Sequence, residues 1–250
     1  MFFKTLLFRY ILMATSITFT GCHSQLLNAK KNTIGKYQLE YTMPIVKDDG
    51  SVFILNDKIQ VFQNNDFSLY RLPHFYTLEK DQKLLKEETR YSVFVFKKGG
   101  RFGDYYKDDS TGSSVKKENV DSVLIQRAFS TMDFYNPELL NMINRSNDAN
   151  VITQIYVPKK KEEELGYDSI YVFFNKQAVG IDYSLSKKLD TIANYKLYKF
   201  NIICSPFYSK KYSLSFPRQE FIFELTRFNE ISTEENKYFK KYTDQLEKGN

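Results

Sequence analysis

The sequence predicts an α+β protein dominated by antiparallel β-sheet, built as a meander and hairpins and closed by a C-terminal amphipathic helix. Three observations carry this. Short apolar runs alternate with polar residues at period two and are separated by Asn, Asp and Gly turn signals. Helical periodicity is confined to a few segments. No strand–helix alternation recurs, which argues against a doubly wound sheet.

Taken in order, Ile34 to Met43 alternates around Tyr37, Leu39 and Tyr41, which share one face of a strand. Asp49-Gly50 marks a turn, and Val52-Phe53-Ile54-Leu55 follows. Asn56-Asp57 reads as a second turn before Ile59, Val61 and Phe62, and Asn64-Asn65-Asp66 leads into Phe67 to Tyr70. Ser92 to Phe96 turns at Lys97-Lys98-Gly99-Gly100 and returns through Arg101 to Tyr105. Ser169 to Phe173 turns near Asn175-Lys176-Gln177 and returns through Val179 to Tyr183. The two hairpins look alike, but hairpin chemistry converges readily, and we prefer convergence to a duplication. Residues 116–128 fit a helix or a strand. Asn136-Pro137 reads as a helix start, with Leu139, Leu140 and Ile143 facing inward. Strand signals resume over Tyr195 to Cys204 and Tyr212 to Leu225, with Pro217 marking an edge or bend in the second. Ser232-Thr233-Glu234-Glu235 is a capping box, after which Tyr238, Phe239, Tyr242 and Leu246 recur at helical spacing and Gly249 ends the run.

The N-terminus is read apart from the fold. Lys4 and Arg9 precede an apolar stretch from Leu6 to Ala14, and Phe19-Thr20-Gly21 comes before Cys22. That three-part order is a secretory signal, too short and too interrupted by Thr and Ser for a spanning helix. Its ending resembles the lipobox of bacterial lipoprotein signal peptides, with Phe19 where a leucine is usual. The resemblance covers residues 1–22 alone. It implies lipidation of Cys22 by a diacylglyceryl group, cleavage before it and acylation, as with palmitate, of the new amino terminus. Two or three such chains hold a protein on a bilayer durably, where one does not. No acid follows Cys22 in His23-Ser24-Gln25, which by the same resemblance suits the periplasmic face of the outer membrane. The expected organisation is a signal peptide over 1–21, an anchor and tether over 22–33, and a single β-rich domain over 34–250.

Composition excludes some partners. The 36 Lys and Arg against 30 Asp and Glu give +6, or +4 once Lys4 and Arg9 are removed. Charges alternate, as in Lys159-Lys160-Lys161 followed by Glu162-Glu163-Glu164, so no one-sided basic field for nucleic acid is expected. With Cys22 lipidated, Cys204 has no intrachain partner, and its apolar strand context predicts a buried, inert thiol.

Catalytic signatures are sparse. A lone His74 beside Pro73 suits neither a multi-histidine zinc site nor, without a Gly-x-Ser-x-Gly elbow, a triad. Gly99-Gly100-Arg101-Phe102-Gly103 matches no phosphate loop and is explained by a tight hairpin. Asp104, Asp108 and Asp109 lack the alternate spacing of a calcium hand. Glu40, Asp182, Glu220 and Glu224 lie in strand-like runs and point to solvent by alternation. No catalytic residue, cofactor or metal is therefore assigned. The expectation is a non-catalytic binding or scaffolding protein of the cell envelope, with the membrane and an envelope protein or apolar ligand as partners. A lipid carrier and a carboxylate hydrolase stand as alternatives. A carrier needs an apolar cavity, and a hydrolase needs converging acids of shifted pKa.

Overall fold

Tyr37, Leu39 and Tyr41 do share a buried face of β1 (Gly35–Val46), as a period of two requires. The computed structural model describes residues 35–250 except 48, 81–82, 108–111, 113, 133, 161–166, 179–181, 210–212, 229–233 and 249–250. The expected signal peptide and tether over 1–33, Cys22 and His23 with them, lie outside the described residues. So do Asp108, Asp109, Glu162 to Glu164, Val179 to Ile181, Ser232, Thr233 and Gly249.

Successive antiparallel pairings make a meander of β1, β2 (Val52–Gln63), β3 (Phe67–Lys80), β4 (Lys83–Lys97), β5 (Phe102–Tyr106) and β6 (Val115–Asn119). Helix α1 (Val120–Arg127) leaves that edge, and the chain restarts at the opposite edge with β7 (Leu140–Asn147). Strands β8 (Val151–Pro158) and β9 (Tyr167–Asn175), helix α2 (Lys187–Ala193) and strand β10 (Lys196–Cys204) work back toward β1. A small hairpin, β11 (Phe207–Ser209) with β12 (Leu214–Phe216), precedes β13 (Gln219–Arg227). β13 pairs with both β10 and β1, which joins the two halves into one sheet in the order β6-β5-β4-β3-β2-β1-β13-β10-β9-β8-β7. Helix α3 (Glu234–Lys248) ends the described chain. The predicted α+β class with its C-terminal amphipathic helix is the observed one.

The register fixes two faces. Tyr37, Val61, Tyr70, Phe94 and Tyr105 are neighbours across five strands, and α1, residues 128–135 and the segment 183–189 cover them. Phe134 stacks on Phe200 at 4.2 Å between ring centroids, and Phe200 on Phe223 at 4.6 Å. Such pairs each add about 0.5–1.5 kcal/mol beyond the area they bury. On the reverse face α3 sets Tyr238 edge-on to Tyr106 and Tyr242 edge-on to Phe67.

Several local expectations change. Asn56-Asp57 is no turn: Asn56 accepts a hydrogen bond from Thr42 Oγ1 at 2.7 Å across β1, and β2 runs through. Asn136 caps only a tight turn, its Oδ1 accepting from Glu138 N at 3.0 Å, after which Leu140 enters β7. Leu140 is buried there, while Leu139 and Ile143 are exposed. Residues 116–128 hold both structures, the end of β6 and then α1. Of the second hairpin, the outgoing strand is β9, whose two edges pair with β8 and β10; of the expected return strand, Val179 to Ile181 lie outside the described residues and Asp182 and Tyr183 are not in a strand. Pro217 does separate β12 from β13. Strands β3 and β4 extend far beyond the predicted runs, whereas β2 pairs with β3 only from Gln60↔Arg71 to Gln63↔Ser68. The β1–β2 and β3–β4 hairpins part beyond that point.

Candidate functional site

A cavity of about 600 Å³ opens between α1 and the strand ends that meet at the β4–β5 turn. Local chemistry builds each wall. Asn119 caps α1, its Oδ1 accepting from Ser122 N at 3.0 Å, and Val120 N donates to Arg101 O at 3.0 Å. Val120 and Val123 then pack inward, while Leu124 and Ile125 line the cavity. The β4–β5 turn is held by Gly100 N donating to Lys97 O at 2.8 Å, with Gly99 at φ +74°, a conformation costly for any residue with a Cβ. A third wall is residues 128–131, where Phe129 (φ 49°) and Thr131 (φ 57°) both hold left-handed backbone. Such residues cost about 1–3 kcal/mol each and persist only where surroundings enforce them. Here Ser130 N donates to Leu124 O (3.0 Å), Thr131 N to Ser184 O (2.8 Å) and Met132 N to Leu185 O (2.9 Å).

The slot's surface is amphipathic. Tyr70, Phe96, Leu124 and Ile125 give an apolar wall, and Gln63 and Ser68 are buried polar residues at its base. The rim carries Lys98, Arg101 and Lys187 with Asp121 and Asp182. Lys98 is ion-paired with Asp182, which bridges the β4–β5 turn to the segment before α2. Burial, with Asp182 nearby, pushes the Tyr70 hydroxyl well above its ordinary range, so it stays a neutral hydrogen-bonding group.

His74 is not isolated. Its Nε2 lies 2.7 Å from Ser92 Oγ and 2.9 Å from Tyr105 Oη, and Tyr105 Oη donates to Ser92 Oγ at 2.8 Å. Burial, with the Arg127 charge secondary, holds its imidazole below the usual histidine pKa of 6.5. Ser92 is fully buried, which suits a structural hydroxyl better than a nucleophile. Ser92 and Tyr105 reach His74 only through the β3–β4 and β4–β5 registers, which no local sequence pattern announces.

The acids separate. Asp182 belongs to the slot, Glu224 pairs with Lys199 at 2.7 Å, and Glu220 accepts from Asn201 Nδ2 at 3.0 Å. Glu40 faces Glu224 across β1–β13 and receives the Gln38 amide. Asp57 lies beside these two in a groove of about 400 Å³ where β2 parts from β3. Burial raises its carboxyl, against hydrogen bonds from Lys58 N at 2.8 Å and Tyr91 Oη at 3.5 Å. Asp57 carried no sequence signal as an acid of interest, having been read as a turn residue. Asp104 is fully buried and ion-paired with Lys117, on the face that α3 covers. Cys204 is half-buried, and burial followed by Asp168 pushes its thiol up, the setting of an inert sulfur. No group of three or more His, Cys, Asp or Glu able to hold a metal occurs among the described residues.

No protein-family model and no curated protein matches the chain. Solved structures similar to it include a LolA superfamily protein from Nitrosomonas europaea, 9% identical, with 81% of this chain and 89% of that one covered at a TM-score of 0.26. Another is a domain named for outer-membrane lipoprotein sorting from Vibrio parahaemolyticus, 8% identical, with 84% and 92% covered at a TM-score of 0.25. Likeness this shallow carries no argument, so the reading below rests on the chain's own residues.

Proposed function

We propose that the chain is a lipoprotein held in the cell envelope through Cys22, whose body is a non-catalytic binding module for an amphipathic ligand. The observation that carries the binding role is the slot of about 600 Å³, an apolar wall under a rim of both charge signs. A ligand with an apolar segment and a charged end, as a membrane lipid or lipid-bearing partner presents, matches that lining. Its walls are preorganised by the left-handed residues Phe129 and Thr131 and by the bonds that hold them. The lipobox-like Phe19-Thr20-Gly21-Cys22 supports the anchor, and the absence of an acid in His23-Ser24-Gln25 supports the periplasmic face of the outer membrane. Gly35 pairs with Gln63, a residue of the slot, so β1 begins at the slot's end.

The test is mass spectrometry of the full chain extracted in mild detergent from its native envelope. Intact mass should show a cleaved, acylated protein with diacylglycerol on Cys22, and an unmodified thiol there overturns the anchor. Native spectra should show a bound amphiphile that is lost from an Ile125→Glu variant. A ligand retained by that variant overturns the slot while leaving the anchor standing.

A further inference from the structure

A second pocket of about 450 Å³ lies on the same sheet face beyond the C-terminal end of α1, and its lining includes His74 and Tyr105, which meet over the buried Ser92. Register explains its charge. Lys116 stands opposite Tyr105 and Glu118 opposite Gly103, so both side chains fall on the face that carries Tyr105. Arg127, in the last turn of α1, lays its guanidinium 4.7 Å from the centre of the Tyr105 ring. Lys107 completes the wall.

Three fixed cations, Lys107, Lys116 and Arg127, thus face one acid among the described lining residues. That acid, Glu118, is held by Lys116 at 2.8 Å, and the Lys116 hydrogen bond, with Arg127 as a smaller contributor, keeps its carboxyl below the usual range. Ser114 adds a lining hydroxyl that can donate to an anion, while the Tyr105 hydroxyl is committed to Ser92 Oγ. The geometry points to a binding site for a phosphate group, with Arg127 as the planar donor and Lys107 and Lys116 as point charges. Among the described lining residues two positive charges are left over after the Lys116–Glu118 pair forms, which suits a dianionic group. This site is independent of the slot.

The experiment uses the full chain in phosphatidylcholine nanodiscs with labelled histidine. The chain has only two histidines, so His74 is assigned by comparison with a His23→Gln variant. Titration with inorganic phosphate should shift the His74 ring resonances saturably in the millimolar range or below. Arg127→Gln should weaken the interaction about tenfold. Glu118→Gln should tighten it, a sign that a merely structural role does not produce. If replacing part of the phosphatidylcholine with phosphatidic acid reproduces the shift without added phosphate, the ligand is a lipid headgroup; a response to free phosphate alone makes it a soluble phosphate. A non-saturating shift, an equal shift with chloride at matched ionic strength, or weaker binding in Glu118→Gln overturns the site.

Discussion

The Tyr183 hydroxyl donates to the Ala128 carbonyl at 2.6 Å, and both residues are fully buried. This bond joins the segment after α1 to the segment before α2, beside the backbone bonds from Thr131 to Ser184 and from Met132 to Leu185. It therefore fixes the wall of the slot that holds two left-handed residues. Tyr183→Phe keeps the ring and removes only the donor, leaving a buried carbonyl unpaired at a cost of about 1–3 kcal/mol. For a body of this size that is a melting point lower by about 2–4 °C per kcal/mol. Hydrogen exchange should quicken at Thr131 and Met132 before it does in β1. A variant as stable as the parent, with those amides equally protected, would show that the bond does not organise the wall.

Strand existence was legible where one face is buried and the other wet, as in Tyr37, Leu39 and Tyr41, because burial imposes the alternation itself. It was illegible over residues 71–91, where β3 and β4 run on beyond the reach of β2 and their sequence carries no clean alternation. Turn chemistry misled at Asn56, whose amide finds Thr42 across the ladder, and at Asn136, whose cap is followed by an edge strand. Site residues suffered more. His74 drew attention as a lone histidine, yet Ser92 and Tyr105 lie 18 and 31 positions away and meet it only through pairing. The slot joins Gln63, Leu124 and Asp182 from three distant parts of the chain, and no local pattern announces that.

His74 should leave a mark on the pH dependence of stability. Its folded-state pKa lies below the ordinary 6.5, from burial first and Arg127 second. Between those two values the unfolded chain binds more protons, so stability is present in full above 6.5 and falls with acidification toward the folded value. Stability of the parent to urea should weaken as the pH falls below about 6.5, and His74→Gln should flatten that part of the curve. Groups around the imidazole among the described residues include Ser92, Tyr105, Lys107, Lys116, Glu118 and Arg127, with Arg90 opposite it in the β3–β4 register. Parallel curves for parent and variant would mean that His74 does not titrate against the fold.

Cys204 should react slowly with a neutral alkylating reagent. Its thiol is half-buried, and burial with Asp168 raises its pKa, so little thiolate is present at neutral pH. Native protein should modify far more slowly than protein in denaturant, and the rate should climb with pH into the alkaline range. Modification at the rate of a free thiol in both states would contradict the described setting.

Gly103 has the least room for a side chain among the described glycines. A Cβ built there would lie 2.6 Å from Val95 O, 2.7 Å from Phe96 Cβ and 2.8 Å from Phe94 Cε2. Glycine in a strand is ordinarily a weakness, and alanine would recover about 0.5–1 kcal/mol of backbone entropy. Contact with the β4 backbone reverses that sign, because a carbonyl in a paired ladder cannot rotate away as a flexible side-chain end could. Gly103→Ala should therefore destabilise by about 1–3 kcal/mol, the usual cost of overpacking. Gly99→Ala is the comparison: it meets nothing within 4 Å, so its cost is only that of the left-handed backbone, about 1–2 kcal/mol. Gly103 also pairs with Glu118 across β5–β6, so forcing β4 and β5 apart should disturb the basic pocket, whereas Gly99→Ala should leave it intact. Urea melts, read together with the His74 resonances, separate the two effects. An unshifted midpoint for Gly103→Ala would mean that β5 can slide to make room, and that the close crossing does not set the position of Glu118.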